Sequence, residues 1–308
     1  MKDLKTVNRT TLFLTLTFVI SFSVAGIFKL LGGTYTNQLS LTVLGVIYMF
    51  IPALCTIIVK KFIHHEKLKT DLQISFKINK WFFVAWLLMP IISFLSVGIS
   101  LLILPDVSFS SGMTGMLARF EPFMTPDQMD QMRSAMETLP INAVWLILIQ
   151  GLIAGVTVNA LAGFGEELGW RGFLLRQFKN MSFIKATLLI GFIWGIWHAP
   201  LILMGHNYPQ HPIVGVFMMI IVSTLISVLL VYITIKSRSV IAAAIMHGTM
   251  NATAGISIML INGGNDLTVG MAGLTGILAV LIVIVLLFIY DYFISKDKIL
   301  INKISNYL

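Results

Sequence analysis

The residues able to do chemistry in this chain are few and sit in three places. The stretch Gly163-Phe164-Gly165-Glu166-Glu167-Leu168-Gly169-Trp170-Arg171-Gly172 holds two adjacent carboxylates and an arginine. A second stretch carries Trp194 and His198, followed by Pro200. A third carries His247 and Asn251. All three lie in or beside strongly apolar runs, where each charge costs roughly 2.5 kcal/mol or more at a helix centre and so marks a pathway or a site. Glu167 and Arg171 are four apart and share a helix face, so they read as an ion pair. Adjacent helical residues are turned by about 100°, so Glu166 is expected to face a different partner from Glu167. His247 and Asn251 are also four apart and project from one face. Trp194 stands in the same relation to His198. Taken singly, each group has a plain structural reading: interhelical hydrogen bonding for the histidines and Asn251, solvation at a helix end for the carboxylates. Taken together, unpaired polar groups in lipid cost several kcal/mol each, so the three sets should meet. A carboxylate, two imidazoles and a carboxamide supply a base, metal donors and oxyanion donors. No Ser or Cys forms a nucleophile motif with either histidine, which leaves water as the nucleophile and hydrolysis as the reaction.

The elements that must position these groups are membrane helices. The chain has 308 residues, 57% of them hydrophobic and 11% charged. That composition excludes a soluble domain and indicates an all-α, polytopic membrane protein. A crossing needs about 20 apolar residues, and eight stretches qualify: 11–31, 41–59, 81–104, 141–164, 184–203, 213–235, 240–261 and 269–293. The net charge of +8 belongs to their flanks rather than to a nucleic-acid surface. With the N-terminus in the cytoplasm, 18 of the 21 Lys and Arg residues fall inside, and only Lys29, Arg119 and Arg133 fall outside. This places both termini in the cytoplasm. The first stretch has the layout of a signal peptide, with Ser23-Val24-Ala25 resembling a cleavage site. Its apolar run continues to Leu31, however, so it is read as a retained helix. The lone Cys55 can form no internal disulfide.

The organisation expected is therefore three helices plus an external segment over 1–140, a core over 141–261, and a last helix with a basic cytoplasmic tail over 262–308. In the external segment, Thr125-Pro126-Asp127-Gln128 has the form of a capped helix start. Met129, Met132, Met136 and Leu139 follow on one face, as in an amphipathic helix lying on the outer membrane surface; that face could serve as a lid or peptide-binding surface, but packing on lipid or on neighbouring helices is the plainer reading. One difficulty concerns depth. Glu166 falls at the cytoplasmic end of the fourth stretch, whereas His198 and His247 lie further into theirs. The fourth helix is therefore expected to continue through Glu166. A separation of more than about 10 Å between Glu166 and both histidines would exclude a shared water.

The pattern Glu166-Glu167-x-x-x-Arg171, Trp194-x-x-x-His198 and His247-x-x-x-Asn251 resembles the three motifs of the CPBP family of intramembrane proteases. That family includes type II CAAX prenyl endopeptidases and bacteriocin self-immunity proteins. The resemblance covers about 141–261. It departs at Trp194, where the family usually has Phe. It implies that Glu166 activates water, His198 holds or polarises that water, His247 and Asn251 stabilise the oxyanion, and Glu167, Arg171 and Trp194 orient the others. A second account of the family places zinc on Glu166, His198 and His247, and these residue types suit both accounts. The resemblance also implies a bacterial cytoplasmic membrane and, as partners, lipid and a hydrophobic or lipidated peptide substrate. No nucleic acid is expected. Two other functions compete: a non-catalytic bacteriocin-immunity or scaffold protein, and a transporter with a Glu/His proton relay.

Overall fold

A computed structural model describes residues 8–33, 38–68, 72–110, 115, 117, 124–137 and 143–308. The architecture is all-α. In chain order the helices are α1 (Arg9–Leu30), α2 (Gln38–Ile57), α3 (Lys80–Ile103), α4 (Pro126–Glu137), α5 (Ala143–Val156), α6 (Val158–Glu167), α7 (Phe183–Trp197), α8 (Ala199–Leu203), α9 (Pro212–Ser237), α10 (Val240–Thr253), α11 (Ile256–Met259) and α12 (Leu274–Ile289). One two-residue pairing, Ser108–Phe109 with Ile261–Asn262, ties the segment after α3 to the end of α11. Among the described residues, five helices are individually long and apolar enough to cross a membrane, and α5 with α6 makes a sixth crossing if counted together.

The remaining apolar stretches form shorter helices, and their breaks have visible causes. Between α5 and α6 the axis bends by 49°. Thr157 sits at the break and its hydroxyl donates to the Ile153 carbonyl at 2.8 Å, a back-bond that competes with the helical ladder. α7 stops at His198 and restarts as α8 because Pro200 has no amide to continue the ladder. α6 does continue through Glu166, as its depth required, and then widens into a π-helical turn over Leu168–Leu174.

Glycines set how closely the central helices approach. A Cβ on Gly163 would lie 3.0 Å from the Ala244 carbonyl oxygen, and one on Gly248 would lie 2.5 Å from the Ala160 nitrogen. These two positions let α6 and α10 pack backbone to backbone. Gly165 and Gly169 do the same against α2, where added Cβ atoms would meet Met49 O at 2.6 Å and Pro52 Cβ at 2.5 Å. The N-terminal helices are thus packed directly on the segment that holds the carboxylates.

The start of α4 is a reciprocal cap. The Thr125 amide donates to Gln128 Oε1 at 2.8 Å, and the Gln128 amide donates to Thr125 Oγ1 at 3.3 Å. Its apolar face meets protein: Met129 is buried, and Met132 packs on a cluster that includes Val97, Val144 and Ile256. Of the two surfaces this face was expected to pack on, lipid or neighbouring helices, it meets the helices. Leu139 and the side chain of Met136 lie outside the described residues. At the other end of the chain, the basic tail folds back rather than trailing. Ile299, Leu300 and Ile304 are buried, and the Ile304 amide donates to the Met181 carbonyl at 3.1 Å, beside the start of α7.

Candidate active site

The site is assembled around His247, halfway along α10. Its Nδ1 lies 2.8 Å from Glu167 Oε1, and its Nε2 lies 3.9 Å from Glu166 Oε1. The two adjacent carboxylates were expected to face different partners. Instead they address the two nitrogens of a single imidazole. A rotation of about 100° between neighbours suits this, because the ring presents its nitrogens in different directions. Both carboxylates and His247 are almost fully buried.

Glu167 is held from its own helix as well. Arg171 Nη1 donates to Glu167 Oε1 at 3.0 Å, and both side chains are fully buried. The ion pair expected at this spacing is present. The α-to-π transition after Glu167 keeps Arg171 inside, and its guanidinium lies 4.6 Å from the centre of the Trp194 ring.

Trp194 links the motifs. Its indole Nε1 donates to Glu166 Oε2 at 2.7 Å. Its carbonyl is 2.8 Å from His198 Nδ1. This second contact follows from Pro200. The helix tightens at its end, so the His198 amide donates to Gly195 O at 3.2 Å rather than to Trp194 O. The carbonyl thereby released is taken by the His198 ring, which leaves Nε2 as the free nitrogen of that imidazole. The Trp194 ring also stands edge-on to His198 and His247, at 5.3 and 5.4 Å between centroids.

Glu166, Glu167, Arg171, Trp194 and His247 thus form one contiguous group, and His198 joins it through Trp194. Glu166 is 3.9 Å from His247, well inside the separation that would have excluded a shared water. Asn251 is less engaged. It is exposed one turn beyond buried His247, and its side chain makes no hydrogen bond among the described residues. For a metal, the two histidines have suitable second contacts, since Nδ1 of each is hydrogen-bonded and Nε2 is left over. The donors themselves do not fit: among the described residues, no three His, Cys, Asp or Glu side chains are grouped to hold an ion.

The support behind His198 carries no spacing that could be read from the residues. Trp197 meets His198 edge to face at 4.9 Å and lies tilted against Tyr48 of α2 at 4.4 Å between centroids. The Tyr48 hydroxyl donates to the Trp197 carbonyl at 2.9 Å, and Trp197 Nε1 donates to Ser21 Oγ of α1 at 2.7 Å. An aromatic residue with a polar tip in mid-span is the one hint such residues offer.

Residues 140–253 match the family model described as type II CAAX prenyl endopeptidase Rce1-like. A segment of 98 residues is 34% identical to CAAX prenyl protease 2 of Methanococcus maripaludis, covering 30% of this chain and 36% of that protein. The match thus spans about a third of the relative's length. Both findings support a CPBP-family protease, with the matched region containing every residue of the three motifs.

Proposed function

We propose that the chain is an intramembrane endopeptidase that hydrolyses a peptide bond in a membrane-associated or hydrophobic peptide. The observation that carries this reading is the 3.9 Å gap between Glu166 Oε1 and His247 Nε2. It is too long for a direct hydrogen bond, yet one water at about 2.8 Å from both atoms fits it. Glu166 takes a proton from that water. The water oxygen adds to the peptide carbonyl carbon, and the carbonyl electron pair moves onto its oxygen. His247 and the Asn251 carboxamide stabilise this oxyanion. When the intermediate collapses, the C–N bond breaks and Glu166 returns the proton to the leaving amine. His198 holds the water from the other side, and Glu167 and Arg171 orient His247.

The exposure of Asn251 beside buried His247 supports entry of substrate from that side of α10. A hydrophobic or lipidated peptide suits a site enclosed by apolar helices. The distribution of Lys and Arg supports a cytoplasmic membrane with both termini inside. The donor arrangement favours the metal-free route over the zinc account. The test is cleavage of a fluorogenic membrane peptide by the purified protein, with Glu166→Ala and His198→Ala as controls. Cleavage lost in both variants is expected. Function equal to wild type in both would sink the peptidase reading and favour the immunity or scaffold one, and solute flux driven by a pH gradient would favour a transporter.

A further inference from the structure

The geometry points to Trp194 as the residue that decides which oxygen of Glu166 does the chemistry. This inference rests on the proposed role of Glu166 as base and assigns Trp194 as its positioning residue. A buried carboxylate on a helix has two equivalent oxygens and can turn about its last torsion. Here one of them, Oε2, accepts the Trp194 indole N–H at 2.7 Å, while Oε1 faces His247 Nε2 at 3.9 Å. With Oε2 engaged, only Oε1 is presented to the gap that a water would fill.

Three further contacts fix Trp194 itself. Its carbonyl holds the His198 ring at 2.8 Å, Arg171 covers its face at 4.6 Å, and its edge meets the His247 ring at 5.4 Å. It is 2% exposed, so water does not compete for the indole N–H. The cation over the ring draws electron density from the indole and strengthens its N–H as a donor. One side chain therefore sets the angle of Glu166, while its own backbone sets the tautomer of His198. Phenylalanine at this position would keep the carbonyl and an aromatic ring, and would lose the hydrogen bond together with part of the indole's volume.

The experiment uses full-length protein in detergent with 15N-labelled tryptophan. The Trp194 indole N–H resonance is assigned by its disappearance in Trp194→Phe. It is then followed in Glu166→Ala. The expected result is a large upfield shift of that resonance in Glu166→Ala, the signature of a lost bond to a carboxylate. In parallel, Trp194→Phe is expected to lower kcat about tenfold to a hundredfold, with KM little changed. An indole resonance unmoved in Glu166→Ala overturns the inference, as does a Trp194→Phe enzyme with wild-type kcat. If Trp194→Phe does not fold, the resonance is assigned by elimination through single Phe substitutions of the other five tryptophans, and its response to Glu166→Ala still decides the matter. A shifted resonance in a Glu166→Ala protein that still cleaves at the wild-type rate would uphold the contact and reject Glu166 as the base, which separates the two failures.

Discussion

Glu167 Oε1 is shared by His247 Nδ1 at 2.8 Å and Arg171 Nη1 at 3.0 Å. One oxygen thus joins α6, its π-helical extension and α10. The imidazole is fixed with Nδ1 toward a carboxylate that is itself balanced by a guanidinium, and Nε2 is turned to Glu166. Buried pairs of this kind are weak sources of stability when intact, but removing one partner leaves an uncompensated charge. Arg171→Ala is therefore expected to destabilise the protein by about 3–5 kcal/mol. Denaturation in detergent checks this, and a change below about 1 kcal/mol would show that the pair is hydrated rather than dry.

Glu166→Ala should behave differently. Among the described residues Glu166 has no cationic partner within hydrogen-bonding distance, and its hydrogen bond is to an indole. Its loss is expected to lower kcat by about a hundredfold to ten-thousandfold, as for a general base, while the unfolding midpoint stays near that of wild type. Turnover of a membrane peptide and a melting curve on the same preparation distinguish this from the Arg171 variant.

The close approach of α6 and α10 predicts a steric phenotype. In Gly248→Ala the new methyl would lie 2.5 Å from the Ala160 nitrogen, so the helices must separate. That moves His247 away from both carboxylates, and stability and turnover should fall together. Gly26→Ala is the control, because its added methyl meets nothing within 4 Å. Melting curves of the two variants should differ clearly, and equal melting points would contradict the packing described.

Pro200→Ala tests the break beside His198. Alanine restores an amide, lets the helix regularise and draws the Trp194 carbonyl back into the ladder. His198 Nδ1 would then lose its 2.8 Å partner. A folded protein with kcat reduced about tenfold, as for one lost hydrogen bond, is expected from steady-state kinetics. Unchanged kcat would mean that the His198 ring is held by Trp197 alone.

Metal dependence separates the two accounts of the family. No three donors are grouped among the described residues, so dialysis against a chelator is expected to leave peptide cleavage intact. Elemental analysis of the dialysed, active protein completes the test. Loss of activity restored by zinc would bring Glu166, His198 and His247 back as ligands.

Much of this was legible in the residues. Glu167 and Arg171 stand at a helical spacing whose consequence is local, so their ion pair could be read without a fold. The same holds for the Thr125–Gln128 cap, and for the helix break at Pro200, which follows from a missing amide. Apolar length and the placement of Lys and Arg marked a polytopic membrane protein, and the cost of unpaired polar groups in lipid implied that the three motifs converge. Other features depended on tertiary structure. Glu166 and Glu167 address two nitrogens of one ring because Gly163 and Gly248 bring α6 and α10 into contact, and no spacing within one helix encodes the distance between two. The apolar face of α4 turns to Val97 and Val144 rather than to lipid alone, a choice that helical periodicity leaves open. Trp194 reads in sequence as an orienting residue on the face of His198. Its bond to Glu166 crosses 28 residues and two helices, so only the folded arrangement could supply it.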